Sequence, residues 1–576
     1  MSLMAAPARR QPRQEKRPDG SAVTVVLQGD EWCHWESDLA GNLLVRDDEG
    51  CYRLANADEL AQWETDKARG LMQREQVNAR RMQRLSNLRH ASAQRTLSDD
   101  AAQDNDTLPD THCLTTPFGG RMRGIVVLVE FQDRKFSTVD DPLQHFTDLM
   151  NKEGFDYAIS ATSKYKHYGS VRDYFVQNSN GWFEPQFDVF GPLCLKNEAS
   201  YYGKGSSDSN AYKVIVEACD QLDSLAQYNI NFADYDNNGD GTIDFIVAIY
   251  AGTGANATGA SVNDIWPHSW DIYSASGGRS YSYDDIKLDE YACINEEFSG
   301  KPDGIGTMCH EFSHILGLPD LYNTVSASNT CSPCDYDLMD SGMYNCNSYH
   351  PAGMSSYERY ELGWMQQPLP LDSVGPYQLE EFGTTEQAYI VPVTEGLDDP
   401  RDGEYYLFEN RQQTGWDKYL PGHGMLVWHI DYKSSLWSGN TPNNWPKHQC
   451  VDLIEADGQK KDSSGSLYQD DTTPFPGTSL NTSFTDDTTP AFSGWTSPGT
   501  SVSTLENRLC KAITNIREVA AETEGAPSII TFDYNVVTEG IRAVQIDNPV
   551  VNGLIWQNGR LMISTPDGQT DLLGRK

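Results

Sequence analysis

The chain has 576 residues, 38 % of them apolar and 11 % aromatic, which is too long for one ordinary core and sets an expectation of three or four domains. A formal net charge of −39 argues against nucleic acid or an anionic membrane as partner, because phosphates would be repelled. No run approaches the ~18 apolar residues of a membrane helix, which argues against a spanning segment.

The opening "MSLMAAPARRQPRQEKRPDG" has no apolar h-region, so no secretory signal is visible, and Met-Ser-Leu reads as a cloning scar left where one was removed. Residues 20–56 alternate apolar and polar side chains between Gly and Asp turn signals, the pattern of a small β unit. From about Ala57 to Gln94 the pattern becomes helical and basic, with Lys67, Arg69, Arg74, Arg80, Arg81, Arg84, Arg89 and Arg95 in an otherwise acidic chain. A solvated helix face is the plain explanation; a segment docked on an acidic domain and later cut away is the sharper one. The polar, turn-rich stretch 96–112 suits a cleavable linker.

A second unit opens with the buried-strand run "RGIVVLVEFQDR" (123–134), a helix at 209–227 and a second apolar strand, "DFIVAIYAGTG" (244–254). "YACINEEFSG" (291–300) reads as a polar edge strand, and "GIGTMCHEFSHILG" as a helix with a glycine stop at Gly317. Together they predict an α/β domain with a cleft beside its edge. After about residue 370 short strands separated by Gly, Pro and Asp turns predict a β-sandwich.

The chemistry concentrates in "GTMCHEFSHILGLPDLYN" (306–323). On a helix, His310 and His314 share a face and can direct both imidazoles at one ion. Glu311, offset by one residue, stays near that ion unbound and can take a proton from a water on it, the HExxH arrangement of zinc peptidases. Zinc brings a water's pKa to near ~7, which yields a nucleophile for a peptide carbonyl. Gly317 lets the chain turn back and Pro319 stiffens it, so that Asp320 serves as third ligand; Glu358 or Glu361 of "MSSYERYELGW" is the alternative.

Met339, in "CDYDLMDSGMYNC" (334–346), has the setting of a Met-turn beneath a metal, and Tyr344 is close enough in sequence to stabilise an oxyanion. Cys309 lies about 100° round the helix from His310 and reads as a buried thiol. Twelve cysteines allow disulfides, with Cys331, Cys334 and Cys346 crowded in one loop; buried thiols throughout are the alternative. A second ion, calcium, fits "DYDNNGDGTIDF" (234–245) through Asp236, Asn238, Asp240, the Thr242 carbonyl and Asp244, although the closing Glu of an EF-hand falls on Val247.

With "HEFSHILGLPDLYN", "YDLMDSG", "DYDNNGDGTIDFIVAIYAGTG", "DIWPHSW", "EYYLFENRQQTGWDKYLPGHGMLVWHID" and "VDLIEADG" on view, the chain resembles the immune inhibitor A-like secreted zinc metallopeptidases. "PDGSAVTVVLQGDEWCHWESDLAGNLLV" is similar to that family's propeptide opening, and Ser313 departs from its usual glycine. The resemblance implies zinc-dependent endopeptidase activity on proteins, a zymogen, export, and His310, His314, Asp320 and Glu311 as ligands and base.

The expected architecture is multidomain α/β plus all-β. Residues 1–112 form a propeptide of a small β unit, a basic helix and a linker, and residues 113–370 a zincin-like catalytic domain. Residues 371–540 form a β-sandwich, and 541–576 a tail that is similar to a sorting domain. Substrate would add as a strand beside 291–298, while residues 18 to about 110 cover the cleft and Cys113 is one candidate to cap the zinc. Secreted or cell-surface location, protein or peptide substrates, a monomer, and the propeptide as inhibitor complete the expectation. The rival from another class is a silent surface-binding protein with a structural zinc, which would have no use for Glu311.

Overall fold

In the computed structural model, residues 4–9, 12–30, 34–47 and 49–68 are described, followed by 119–536 apart from 161–162, 204–209, 258–260, 262, 325–332, 446–447, 460–468, 496–507 and 522–525. Strands between 553 and 571 are described as well. The N-terminal meander pairs five antiparallel strands between Arg13 and Leu54. Its turns follow from their aspartates: Asp38 Oδ1 accepts from the Ala40 and Asn42 amides at 3.0 and 2.9 Å, and Asp47 Oδ1 accepts from those of Glu49 and Cys51 at 3.0 and 2.8 Å. A helix follows at 57–68; the rest of the basic stretch, the linker and Cys113 lie outside the described residues.

The unit that follows is built on a mixed sheet. Its strands are β1 (Met4–Ala5), β2 (Gly120–Glu130), β3 (Phe183–Cys194), β4 (Ile246–Thr253), β5 (His268–Asp271) and β6 (Glu290–Phe298), in the spatial order β1-β5-β6-β4-β2-β3. Pairings among β2, β3, β4 and β6 are parallel, whereas β5 and β1 run antiparallel at one end. Both faces are covered, which is why these strands read as continuous apolar runs. Val126, Leu128, Val247 and Ile249 face one core with Leu149 of α1 (Pro142–Asn151), Phe175 of α2 (Val171–Asn178) and Phe312 from the HExxH stretch. Ile125, Val127, Ile246 and Ala248 face the other core with Val214, Ala218 and Leu222 of α3 (Tyr212–Ser224).

The expected edge strand at 291–300 is not an edge. β5, from the "DIWPHSW" stretch, lies outside β6, and β1 outside β5. The polarity of "INEE" has another cause: buried Glu296 accepts from the amides of Ser137, Thr138 and Gly252 at 2.8, 2.8 and 2.9 Å, so its charge ties a loop to the sheet.

The HExxH stretch forms α4 (Gly306–Ile315), every residue of it buried. Further on, α5 (Ser356–Leu362) starts at a capping box of Ser355 and Glu358. Beyond residue 370, β7 (Ala388–Pro392), β8 (Glu404–Arg411) and β9 (Gly424–Asp431) lead a five-stranded sheet that is buried on both faces. Leu407, Leu426 and Trp428 join the same core as Phe312, while Phe408, Met425 and Val427 pack with Phe484, Ile513 and Phe532 of a four-stranded sheet. Apolar packing thus runs unbroken across residue 370. The last three strands, Gly553–Gln557, Arg560–Thr565 and Gly568–Asp571, form an antiparallel sheet in a separate unit, 535–576. Among the described residues no helix is long and apolar enough to cross a membrane.

Gly306, the first residue of α4, packs so closely that an added Cβ would lie 1.8 Å from the Met343 carbonyl oxygen. Alanine is intrinsically better in a helix by about 0.5–1 kcal/mol, yet the clash with backbone decides the sign. Gly306→Ala is expected to lower the thermal midpoint, with a net loss of about 1–3 kcal/mol. An unchanged or raised midpoint in a melt followed by circular dichroism would show that the Met343 loop yields freely.

Candidate metal centre

α4 delivers His310 and His314 to one face, and the turn after it delivers Asp320. Gly317 takes φ +110°, a conformation favouring glycine, and the Leu318 amide bonds back to the Ser313 carbonyl at 3.1 Å. The Leu318 carbonyl then accepts from His314 Nδ1 at 2.8 Å. His310 Nδ1 is held at 2.9 Å by the Leu338 carbonyl, beside buried Met339, whose own carbonyl accepts from the Leu321 amide at 2.9 Å. Met339 therefore lies in the turn that braces the first histidine.

Because carbonyls only accept, both Nδ1 atoms carry hydrogen, and a ring that is neutral then presents a lone pair at Nε2. Those two Nε2 atoms are 3.1 Å apart, and each is 3.2 Å from Asp320 Oδ1. Burial lowers the His314 pKa to about 4, so its ring is neutral at ordinary pH. Three lone-pair atoms on buried side chains then face one another, and Asp320 Oδ1 has no hydrogen-bond partner among the described residues. A cation relieves that repulsion, and two imidazoles with one carboxylate are the donor set of a catalytic zinc site. The residues fit the metal.

Glu311 is fully buried beside them. Burial, and then the charge of Asp320, push its pKa well above the usual carboxylate range. Its Oε1 accepts from the Ala6 amide at 2.5 Å, while Oε2 has no hydrogen-bond partner among the described residues. The peptide supplying that amide is the chain's own N-terminal segment. Met4 and Ala5 pair with Ser269 and His268 of β5, Trp266 Nε1 donates to the Ala6 carbonyl at 2.7 Å, and the Tyr344 hydroxyl donates to the Pro7 carbonyl at 2.6 Å. Arg9 is buried against Asp303. Thus residues 4–9 reach the glutamate, ahead of the stretch from 18 to about 110 that was expected to cover it.

Glu358, the alternative third ligand, is engaged elsewhere: it accepts from the Ser355 amide at 2.7 Å and is no member of the His310–His314–Asp320 group. Glu361 accepts from the Tyr405 hydroxyl at 3.4 Å. Tyr344 meets a peptide carbonyl two residues past Ala5, which makes it a main-chain clamp in this structure. Cys309 is a buried free thiol, as is Cys450; Cys346 is free, and Cys334 is disulfide-bonded. In the 236–244 loop the acids close turns: Asp236 accepts from the amides of Gly239, Asp240 and Gly241, Asp240 from that of Thr242, and Asp244 from Asn237 and Asn238. Their oxygens are not gathered at one point as the donor atoms of His310, His314 and Asp320 are.

Two features had no signal in the spacing of residues. Asn440, 120 positions away, accepts from the Asp320 amide at 2.7 Å and donates to Asp320 Oδ2, which leaves Oδ1 directed at the histidines. A second group, Asp431, His448 and Cys450, is also close enough to hold an ion, but Lys433 Nζ already lies 2.7 Å from Asp431 and supplies a cation.

Residues 121–369 match the family model described as immune inhibitor A peptidase M6, catalytic domain. That stretch is similar to the catalytic domain of that family. It is 26 % identical over 257 residues to "Immune inhibitor A" of Bacillus thuringiensis subsp. alesti, an alignment covering 38 % of this chain and 36 % of that protein. It is 28 % identical over 288 residues to "Pre-pro-metalloprotease PrtV" of Vibrio cholerae serotype O1 (strain M66-2), covering 42 % of this chain and 30 % of that protein. The chain thus spans about a third of the length of these curated relatives.

Asn440→Ala removes both contacts that orient Asp320. It is expected to weaken zinc retention by about 10–100-fold, measured by competition with a calibrated chelator. Retention equal to wild type would mean that Gly317 and Pro319 alone orient the carboxylate.

Proposed function

We propose that the protein is an exported zinc-dependent endopeptidase, made as a zymogen whose N-terminal segment occupies its own cleft. The observation that carries this is the meeting of three donor atoms from His310, His314 and Asp320 beside Glu311 Oε2, which has no hydrogen-bond partner among the described residues. A zinc ion held by those three atoms supplies a Lewis acid that acidifies water and polarises a peptide carbonyl. Glu311 is the base: Oε2 takes the proton of the attacking water, and the acid so formed returns it to the leaving nitrogen. The Ala6 amide on Oε1 marks where that nitrogen sits. β5 offers its open side to the substrate main chain as an added antiparallel strand, while Trp266 and Tyr344 hold the carbonyls that follow. Burial of Glu311 keeps bulk water from competing for the proton.

Latency has the same support, since a peptide already lies where substrate would lie, and one relative is named a pre-pro-metalloprotease. The disulfide-bonded Cys334 fits export to an oxidising compartment. Calcium in the 236–244 loop rests on its donor set of Asp236, Asn238, Asp240, the Thr242 carbonyl and Asp244. If it binds there, calcium chloride raises the thermal midpoint of wild type and not of Asp240→Ala; equal shifts in both remove the assignment.

The test of activity is casein hydrolysis with metal analysis, on intact chain and on chain nicked by trypsin within 92–112. Intact chain is expected to be silent and nicked chain active. Glu311→Ala should keep zinc and lose roughly 10²–10⁴-fold in rate, and Asp320→Ala should lose zinc. Nicked wild type that holds zinc yet cleaves no protein would sink the peptidase assignment; an Asp320→Ala variant that cleaves normally would move the third ligand elsewhere.

A further inference from the structure

The hydrogen bonds between the cleft and residues 4–8 are made to main chain: β5 pairs with Met4 and Ala5, Glu311 takes the Ala6 amide, and Trp266 and Tyr344 take the carbonyls of Ala6 and Pro7, while the small side chains of Ala6 and Ala8 pack among apolar neighbours. Main-chain contacts accept many sequences. Arg9 is different, because the cleft receives its side chain. Its amide is fixed by the Asn256 carbonyl at 2.9 Å. Its Nη2 donates to Asp303 Oδ1 at 2.7 Å, Asp303 Oδ2 at 2.6 Å and Ser348 Oγ at 2.9 Å. The guanidinium carbon lies 4.0 Å from the ring centre of Phe298 and 4.7 Å from that of Tyr344.

We propose that Asp303, walled by Phe298 and Tyr344, is a recognition subsite for a basic side chain on the fourth residue after the cleaved bond, which Arg9 fills here as a stand-in. This rests on the peptidase assignment above, with Ala5–Ala6 in the place of the bond. Asp303 is also held by groups other than Arg9. Asp303 accepts from the Gly304 amide at 2.8 Å and from Asn295 Nδ2 at 3.0 Å, which set its orientation from behind. When the segment leaves, a buried carboxylate loses its cation, a costly state that a new cation relieves. The rings select for a flat cation over an acid or a neutral group, and favour arginine over lysine because guanidinium stacks on aromatic faces. A cavity of about 470 Å³ opens beside the segment, lined by Pro7, Ala8, Arg9, Asp335, Asp340 and Tyr344 among others. Two carboxylates, Asp335 and Asp340, and, besides Arg9, one cation, Lys164, face it.

The experiment uses nicked, zinc-loaded protein, repurified after trypsin is inactivated irreversibly. Hexapeptides of sequence 4–9 with Arg, Lys, Ala or Glu at the last position compete against casein hydrolysis. The Arg peptide is expected to inhibit roughly ten-fold or more tightly than the Ala peptide, with Glu weakest, and Asp303→Asn is expected to bring the Arg-to-Ala ratio below about two-fold. A ratio below two-fold in wild type, or one that survives Asp303→Asn, overturns the subsite. The wild-type series stands whether or not that variant folds. If casein is not cleaved at all, the peptidase assignment falls by itself, and the same ratio read from anisotropy of labelled peptides decides the subsite.

Discussion

Three lone pairs forced into one small volume are the constraint on which the rest of this structure depends. His310, His314 and Asp320 meet at 3.1–3.2 Å, and lone pairs on all three would repel. Each is pinned from outside: the Leu338 carbonyl fixes one ring, the Leu318 carbonyl the other, and Asn440 the carboxylate. The three pins come from three parts of the chain, so the centre is a product of the assembled fold and not of α4 alone. Preorganisation of this kind is what a metal site needs if binding is not to be spent on ordering its ligands.

The pin on Asp320 explains why the region after residue 370 packs as it does. Asn440 follows the end of β9, and β9 is buried on both faces. One face shares a core with α4, so the strand cannot move without moving the helix that bears the histidines. Polar contacts fix the same joint: Glu409 of β8 accepts from the Ser356 amide at 2.6 Å and from Trp428 Nε1 at 2.9 Å, and Arg411 donates to the Gly353 carbonyl at 2.7 Å. Buried charges add little net stability, but a broken pair is costly, so they define one arrangement of sheet against helix.

At the other side of the centre the sheet ends in an antiparallel strand whose outer hydrogen-bonding side is taken by Met4 and Ala5. An open strand side and a buried glutamate without a partner for one oxygen are both unfavourable when left alone. The segment that covers the first also reaches the glutamate, where the Ala6 amide donates to Oε1 and leaves Oε2 without a partner among the described residues. Its hydrogen bonds before Arg9 are made through backbone, and the charge of the Arg9 side chain meets the buried carboxylate of Asp303.

Much of the chemistry could be read in one dimension because it is local. His310, Glu311 and His314 are related by helix geometry, Gly317 by the positive φ that its turn requires, and Asp38 and Asp47 by turns that close within four residues. The two-sided burial of β2, β4, β8 and β9 is written in their continuous apolar runs. What the sequence by itself could not determine is whatever joins distant positions. "INEE" was taken for an edge because polarity in a strand usually means solvent, whereas Glu296 is buried by partners contributed from 137–138 and 252. Between Asp320 and Glu358 spacing does not choose; in the fold Asn440 turns one carboxylate toward the histidines and Ser355 draws the other into a helix cap. That Ala6 lies on Glu311, 305 residues away, and Arg9 on Asp303 was likewise decided by tertiary structure, because the side chains that make such contacts carry no mark in sequence of the partner they will meet.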